Sequence, residues 1–344
     1  MKKVAVVLIL ISLASCKKDK PEPAQPETPV VVQPTQQRVF VLNEGKFQSE
    51  NATISLYNVA TAEVVKEYYQ AQNGNAKLGD VAQSMTRTGD RYYIAVNNSK
   101  KIVVCDKDMK KITEITNLLS PRYILPVSDS KAYVTDLSSN SIHILDLASN
   151  TISGQIQCFG WTERLVKSGN EVFVLNEGVG KMYVINPSND KITDSVVVGD
   201  YPASLELDKN GKLWVLTQGD SFNNKPGQLC KIDPTTRAIE LKMPFTSADF
   251  PSALCLNKTK DTLLYLNNGV WRMPVTATTK PASAFIGAGT RMFYGLGVNP
   301  ANYSIYVSDA IDFSQSSTIY IYDNAGNEKS FFKSGVNANS FYFE

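Results

Sequence analysis

Lys131-Ala-Tyr-Val-Thr-Asp136 is one of seven copies of a strand-like hexapeptide that decides the fold of this chain. The other copies begin at residues 38, 91, 171, 212, 261 and 303, so successive copies start 40 to 53 residues apart. Each copy is rich in β-branched and aromatic residues, and a short polar residue stands at or just after its end. This composition is typical of a buried strand that leads into a turn. The spacing predicts a repeat architecture.

Four strands can be assigned to each repeat. The hexapeptide, which is the second strand when a blade is counted from its innermost strand, is followed by a third strand with an acidic or amide turn, as in Ile142-His-Ile-Leu-Asp146, and by a more polar fourth strand, as at 151–157. A further short strand begins ten residues before each copy from the second onward, at Val81, Pro121, Trp161, Pro202, Pro251 and Phe293. Four strands per repeat predict the blade of a β-propeller. Two β-sandwich domains would explain the strands but not the constant offset.

The two ends of the repeat region complement each other. The first repeat lacks an innermost strand, whereas Asn339-Ser-Phe-Tyr-Phe-Glu344 has the pattern of an innermost strand without a blade. We therefore expect residues 38–344 to form an all-β, seven-bladed propeller in which the carboxyl-terminal strand pairs beside the strand at 38–43. Such closure removes the sheet edge that would otherwise invite aggregation.

The first 37 residues differ in composition from the repeats. A basic start at 1–3 and an apolar stretch at 4–13 precede Leu13-Ala14-Ser15-Cys16, which resembles the bacterial lipobox. We expect a lipoprotein signal peptide at 1–15, a lipidated Cys16 and a flexible, proline-rich tether over 16–37. An ordinary cleaved signal peptide with an incidental cysteine is the alternative. Lipid on Cys16 would hold the protein at a membrane without a transmembrane helix.

Composition favours binding over catalysis. The 344 residues include 35 Lys plus Arg, 33 Asp plus Glu and one histidine. A net charge near zero gives no electrostatic basis for binding nucleic acid. The single His143 sits at a strand position, which leaves no basis for His-dependent catalysis or a multi-His metal site. We expect no enzyme activity, no catalytic cofactor and no metal, and buried free thiols, with disulfide pairing left open, at Cys105, Cys158, Cys230 and Cys255.

The repeat register places two sets of side chains on one face of the propeller. This face carries the loops between second and third strands and the loops that lead into innermost strands. Its predicted amides and carboxylates are Asn43, Glu44, Asn97, Asp136, Asn176, Glu177, Gln218, Asn267 and Asp309. Its predicted aromatic and basic residues are Arg122, Tyr123, Trp161, Tyr201, Phe222, Phe250 and Tyr294. We expect this ring to bind a ligand; the alternative is that Asn and Asp end strands while aromatics pack between blades.

The repeats resemble a known family. With Tyr133-Val-Thr-Asp136 in the third copy, they are similar to the YVTN or YncE-like seven-bladed propellers. Val41-Leu-Asn-Glu-Gly45, Leu78-Gly-Asp80 and Pro121-Arg-Tyr-Ile124 on a tethered lipoprotein resemble the DUF5074 propellers of the Bacteroidota, which include the cobalamin-binding surface lipoproteins called BtuG. The resemblance implies capture of cobalamin (vitamin B12) and its transfer to a TonB-dependent transporter. It also implies an outer-membrane location with exposure at the cell surface, although the lysines in 17–20 depart from the acid-rich export signal of that phylum.

A corrinoid suits the predicted ring chemically. It is a broad disc edged with amides, and it carries a phosphate that Arg122 could meet through its planar guanidinium group. Two other functions stay open. A calcium ion held by Glu44, Asp136, Glu177 and Asp309 would make the protein a hydrolase or lyase. The flat face would also suit a protein or glycan partner, as in an adhesin.

Overall fold

Seven four-stranded antiparallel sheets form the blades of a propeller. They lie in residues 37–344, which are the part of the chain that the structure, a computed structural model, describes. The innermost strands of neighbouring blades contact one another all the way around the ring. The predicted seven-bladed, all-β fold is therefore confirmed. The predicted signal peptide, Cys16 and the tether up to residue 36 lie outside the described residues.

The blades are numbered in chain order, and their strands are given from the innermost to the outermost. Blade 1 contains β28 (Ala338–Phe343), β1 (Arg38–Asn43), β2 (Thr53–Asn58) and β3 (Val64–Val65). Blade 2 contains β4 (Ala82–Thr88), β5 (Arg91–Val96), β6 (Lys101–Cys105) and β7 (Lys111–Ile115). Blade 3 contains β8 (Pro121–Pro126), β9 (Lys131–Asp136), β10 (Ser141–Asp146) and β11 (Thr151–Gln157). Blade 4 contains β12 (Thr162–Ser168), β13 (Glu171–Asn176), β14 (Lys181–Asn186) and β15 (Lys191–Val197).

The remaining blades follow the same order. Blade 5 contains β16 (Pro202–Leu207), β17 (Leu213–Asp220), β18 (Lys225–Ile232) and β19 (Ile239–Pro244). Blade 6 contains β20 (Ser252–Leu256), β21 (Thr262–Leu266), β22 (Gly269–Pro274) and β23 (Ile286–Gly287). Blade 7 contains β24 (Phe293–Val298), β25 (Ile305–Asp309), β26 (Ser316–Tyr322) and β27 (Glu328–Val336). A one-turn helix α1 (Tyr68–Gln72) follows β3, and a 3-10 turn (Glu177–Val179) follows β13; no helix in residues 37–344 is long and apolar enough to cross a membrane.

The carboxyl-terminal strand closes the ring as predicted. β28 pairs antiparallel with β1, with Val39 opposite Phe343 and Val41 opposite Phe341. The Glu344 carboxylate accepts hydrogen bonds from Arg87, at 2.7 Å, and from the Tyr92 hydroxyl, at 2.6 Å. Since both donors belong to blade 2, the end of the chain ties blades 1 and 2 together.

The apolar core consists of seven separate layers, one between each pair of neighbouring blades. Phe40 of blade 1 and Tyr92 of blade 2, for example, pack edge to face at 5.5 Å between ring centroids. Alternating side chains of each strand therefore face the next blade, which explains the strand-like periodicity of the sequence. The centre of the ring is left as a channel lined by the innermost strands.

The four cysteines within residues 37–344 are free thiols, as predicted. Cys105, Cys158 and Cys230 are buried in the apolar layers, and Cys255 is partly buried. Burial raises the pKa of Cys230 to about 11. Such a thiol stays protonated at neutral pH, so it packs as a small hydrophobic side chain.

Candidate functional site

One face of the propeller is far more apolar than the rest of the surface. We call it the upper face: it carries the loops between second and third strands and the loops that enter the innermost strands. Its exposed large hydrophobic side chains are Phe47, Leu119, Phe159, Trp161, Val179, Phe222, Phe250, Met292 and Phe313. The four other exposed large hydrophobic residues in 37–344 all lie on outermost strands: Val65, Ile112, Val197 and Phe331. An apolar surface of this extent is typical of a binding face.

A cavity of about 440 Å³ opens on the upper face above blades 4 to 6. Its walls come from the loops that enter β12, β16 and β20 and from the turn between β17 and β18. The lining includes five of the residues predicted for the site: Trp161, Tyr201, Gln218, Phe222 and Phe250. The structure thus brings together most of the predicted aromatic residues in one concave surface.

A second cavity, of about 540 Å³, adjoins the first. Trp161, Tyr201 and Asp220 line both cavities, and Glu177 and Asp200 line the second. We call the two together the aromatic cleft. The cleft lies to one side of the channel, so a ligand held there would contact blades 4 to 6 rather than the whole ring.

Two features of the backbone shape the aromatic cleft. Tyr201 has a φ of +50°, a left-handed conformation that is unusual for a bulky residue, and it precedes Pro202. Its carbonyl oxygen accepts the Gln218 N–H at 2.9 Å, which holds the loop beside β17. Val81 just before β4 and Ala253 near the start of β20 have the same left-handed conformation, so it belongs to the way in which several loops enter the innermost strands, and here it positions Tyr201.

The segment at 219–227 forms a projecting hairpin with a short turn. β17 continues to Asp220 and β18 begins at Lys225, which leaves a four-residue turn with Phe222 at its tip. The Asp220 carboxylate accepts a hydrogen bond from the Asn223 N–H at 3.2 Å, and Lys225 pairs with Asp200 at 3.2 Å. Phe222 is 97% exposed. The turn therefore forms a projecting wall of the cleft, with an aromatic side chain that no protein group covers.

Most of the predicted amides and carboxylates lie inside the blades instead of on the ligand side. Asp136 accepts the Leu119 and Ser120 N–H groups, and Asn267 accepts the Phe250 N–H. Asn176 donates to the Phe159 carbonyl oxygen at 2.8 Å. In each case the end of a second strand holds the loop that enters the innermost strand of the same blade. These side chains were expected to contact a ligand directly, whereas their buried positions support a structural role.

The other members of the predicted ring are similarly occupied. Asn43 is buried and bonds the Thr53, Ser55 and Ser334 hydroxyls. Asn97 donates to the Ser120 hydroxyl at 2.7 Å, and Asp309 accepts the Met292 N–H at 2.9 Å. At these positions Asn and Asp end strands, which was the alternative to ligand binding in the sequence analysis. They act indirectly, because they fix the loops that carry the exposed hydrophobic residues.

The predicted residues nearest the axis form a network across the channel mouth. Arg122 donates to Glu163 at 2.7 Å and also bonds Gln83, so its guanidinium group is engaged within the protein and is not left free for a phosphate. Tyr294 donates to Glu44 at 2.8 Å. Tyr123 accepts a hydrogen bond from Gln83 at 3.1 Å. Sequence reasoning did not single out Glu163 or Gln83, because the innermost strands that carry them contain several other polar residues.

The four carboxylates considered for calcium do not converge. Glu44, Asp136, Glu177 and Asp309 belong to the loops of four different blades, and within residues 37–344 no three His, Cys, Asp or Glu side chains form a group that could hold a metal ion. His143 lies in β10, as predicted, with its Nε2 atom 3.3 Å from the Asp136 carboxylate. Although burial opposes ionisation, hydrogen bonds from His143 and from backbone N–H groups lower the pKa of Asp136.

Two carboxyl groups near the axis are held partly protonated at neutral pH. Burial, reinforced by the nearby Glu163 and opposed by Arg122, raises the pKa of Glu177 to about 8. Burial also raises the pKa of Glu206, on β16, to about 7 against the opposing charges of Arg164 and Lys260. Each group favours the folded state when it is protonated, because the folded protein then binds the proton more tightly than the unfolded chain.

We expect Glu206→Gln to flatten the dependence of stability on pH. The stabilisation from protonated Glu206 is fully present below its unfolded pKa near 4.5 and is lost as pH rises through about 7. At about pH 8 the free energy of unfolding of the variant should therefore exceed that of the parent by about 1 to 3 kcal/mol. This range is smaller than the free energy that corresponds to the full pKa shift, because the half-buried group is partly screened by solvent. Urea denaturation at about pH 5 and pH 8 measures this. Glu67→Gln, at an exposed position, is the control, and parent-like pH dependence in Glu206→Gln would contradict the assignment.

Known structures share this architecture at low sequence identity. A quinonprotein alcohol dehydrogenase-like protein of Bacteroides thetaiotaomicron matches with a TM-score of 0.70 and 12% identity, over 90% of this chain and 78% of that chain. The periplasmic gluconolactonase of Pseudomonas aeruginosa matches with a TM-score of 0.66 and 13% identity, over 90% and 99%. The hydrazine synthase of Kuenenia stuttgartiensis matches with a TM-score of 0.59 and 13% identity, over 74% and 87%. These likenesses show the propeller fold alone.

Family membership is established by the sequence itself. No curated protein matches the chain. A family profile does match, and it spans residues 37–343, which is the whole propeller except its last residue. The resemblance to DUF5074 seen in the first three repeats therefore extends through all seven blades, and the chain belongs to the DUF5074 family, described as a domain of unknown function.

Proposed function

We propose that the aromatic cleft binds a corrinoid such as cobalamin, and that the protein passes it to a TonB-dependent transporter of the outer membrane. The observation that carries the proposal is the convergence of Trp161, Tyr201, Phe222 and Phe250 on one concave surface. Corrinoid transport is what the resemblance to the cobalamin-binding members of the family implies. The cleft supplies the kind of site that such a ligand requires.

The shape of the cleft suits a broad, rigid ligand. Two adjoining cavities of about 440 and 540 Å³ share the Trp161 and Tyr201 side chains as a common wall. Small-molecule pockets usually fall between about 300 and 1,000 Å³. A disc the size of a corrin ring would occupy both cavities, with the shared aromatic side chains against its face.

The chemistry of the lining suits the amide edge of a corrinoid. Gln218 offers both a donor and an acceptor, and Ser221 adds a hydroxyl to the same wall. In the first cavity polar groups are few beside the aromatic surface, which is the usual composition of a pocket where apolar contact supplies affinity and polar groups fix orientation. The second cavity is more polar, since Glu177, Asp200 and Asp220 line it. Because the Arg122 guanidinium group is bonded to Glu163, the proposal does not pair the phosphate of the ligand with this residue.

The direction of the chain is compatible with a lipid anchor at Cys16. β1 runs from the lower face, where Arg38 begins it, to the β1–β2 loop on the upper face. Any tether that precedes Arg38 therefore joins the propeller on the side opposite the aromatic cleft.

Isothermal titration of the purified propeller, residues 37–344, with cyanocobalamin tests the proposal. We expect saturable binding with one ligand per chain. Absence of binding at protein concentrations of about 100 μM would contradict the proposal. It would mean that the free energy of binding is weaker than about −5.5 kcal/mol. Calcium-dependent turnover of a lactone without corrinoid binding would favour the hydrolase alternative. Partition of Cys16→Ala between membrane and soluble fractions in cells tests the anchor separately.

A further inference from the structure

Glu177 occupies a distinctive position in the aromatic cleft. It begins the 3-10 turn after β13, and its backbone N–H donates to the Trp161 carbonyl oxygen at 2.8 Å. Its side chain lines the second cavity together with Trp161 and Tyr201. Within residues 37–344 the Glu177 carboxyl makes no hydrogen bond to another protein group, so it is available to bond a ligand held in this cavity.

The charges around Glu177 oppose its ionisation. The nearby Glu163 is 2% exposed and is paired with Arg122 at 2.7 Å, and Arg122 is further bonded to Gln83. The one guanidinium group close to Glu177 is thus committed to another carboxylate. From the neighbouring blade, Asp200 and Asp220 line the same cavity. Lys225 pairs with Asp200 at 3.2 Å and also lies near Asp220, so this cation is shared by two carboxylates. A charge on Glu177 would therefore be only partly compensated, by an Arg122 that is already paired with Glu163, in a half-buried site.

We propose that Glu177 is a specificity residue of the cleft that acts as a neutral carboxylic acid, donating its O–H to an acceptor oxygen of the ligand. The inference rests on the proposed function, because it requires the cleft to hold a ligand. A protonated carboxyl group donates one hydrogen bond, whereas a carboxylate only accepts. Amide carbonyl oxygens, which edge a corrinoid, are suitable acceptors. An ammonium or guanidinium group on the ligand would instead require the ionised form.

The two forms of Glu177 predict opposite responses to pH. If the acid donates to the ligand, affinity falls as pH rises through about 8, where burial and Glu163 place the pKa of Glu177. If the carboxylate were the binding form, affinity would rise over the same interval. Cyanocobalamin is a suitable probe because it has no ionisation of its own in this range.

The test compares dissociation constants for cyanocobalamin at about pH 6 and about pH 9, measured by isothermal titration on residues 37–344. We expect the parent to bind about tenfold more weakly at the higher pH, the size of one hydrogen bond to a ligand. Glu177→Gln, a permanent neutral donor, should bind within about threefold of the parent at pH 6 and show no pH dependence. Glu206→Gln is the matched control: its pKa is also raised, but it lines neither cavity, so the pH dependence of the parent should remain.

Three results would overturn the inference. Parent affinity that is constant or rises with pH would exclude the protonated donor, as would a pH dependence that persists in Glu177→Gln. A carbon-13 NMR titration of the glutamate carboxyl groups, with Glu177 assigned by its absence in Glu177→Gln, provides a readout without ligand. We expect a midpoint near 8. A midpoint near 4 would overturn the inference even if no corrinoid bound, and absence of binding with a midpoint near 8 would count against the proposed function alone.

Discussion

Removal of residues 338–344 is expected to unfold the propeller. The deletion takes away β28, so β1 becomes an exposed edge at the centre of the ring. It also removes Phe343, which packs on Tyr306 of blade 7, and Tyr342, which packs on Tyr92 of blade 2. Loss of a large aromatic side chain from a core costs about 3 to 5 kcal/mol. Two such losses approach the whole stability of a typical domain, which is about 5 to 15 kcal/mol.

Urea denaturation followed by circular dichroism measures this effect. Deletion of Glu344 alone is the matched control, because it removes the hydrogen bonds to Arg87 and Tyr92 but leaves β28 paired with β1. We expect the control to lose only about 1 to 3 kcal/mol. If the protein without residues 338–344 unfolded at the same urea concentration as the parent, closure by the carboxyl-terminal strand would not stabilise the ring.

Trp161→Ala is expected to weaken corrinoid binding by about 2 kcal/mol or more, or about 30-fold in dissociation constant. Trp161 lines both cavities of the aromatic cleft, so its removal would affect contacts on both sides of the shared wall. Its side chain is 48% exposed, and the blade interiors do not depend on it. The free energy of unfolding should therefore change little while affinity falls, which isothermal titration and urea denaturation measure separately.

Phe331→Ala provides the control for lost aromatic surface. Phe331 is 63% exposed on the outermost strand of blade 7, a blade that contributes no residue to the lining of the cleft. We expect this variant to bind with the affinity of the parent. Equal affinity in the parent, Trp161→Ala and Phe331→Ala would place the binding site outside the aromatic cleft.

The fold could be predicted from the sequence because the repeat is long and the position of each copy determines where the strands before and after it begin. Innermost strands expected to begin at Val81, Trp161 and Pro251 begin one residue later, and those expected at Pro121 and Pro202 begin there. A ring also has few ways to close. The innermost-type strand at 339–344 lacked a blade of its own, so blade 1, which lacked an innermost strand, was the place where it could pair. Periodicity and closure together therefore determined both the number of blades and their order.

The site was only partly predictable, because residue type does not distinguish a ligand contact from a structural cap. Trp161 and Phe250 were correctly placed on a shared surface, since the loop that carries each follows from the repeat register. Asp136 and Asn176 have the same register and the right chemistry, yet they hold backbone groups of the incoming loops. Only the three-dimensional hydrogen-bond pattern separates the two cases.

The channel network was missed for a different reason. The pairing of innermost with second strands shifts register near the start of the inner strand, as between Pro121 and Ile124 and between Thr162 and Leu165. A bulge changes which side chains face the channel, and strict alternation along the strand then fails. Glu163 and Arg122 therefore meet across two blades although the sequence pattern gives no sign of it.

The structure of the propeller in complex with cyanocobalamin tests the central claim most directly. The account predicts that the corrin ring lies in the aromatic cleft, in contact with Trp161 and Tyr201, and that a corrinoid amide oxygen lies within hydrogen-bonding distance of the Glu177 carboxyl. A corrinoid bound over the channel mouth at Arg122 and Glu44, or on the lower face of the propeller, would contradict it.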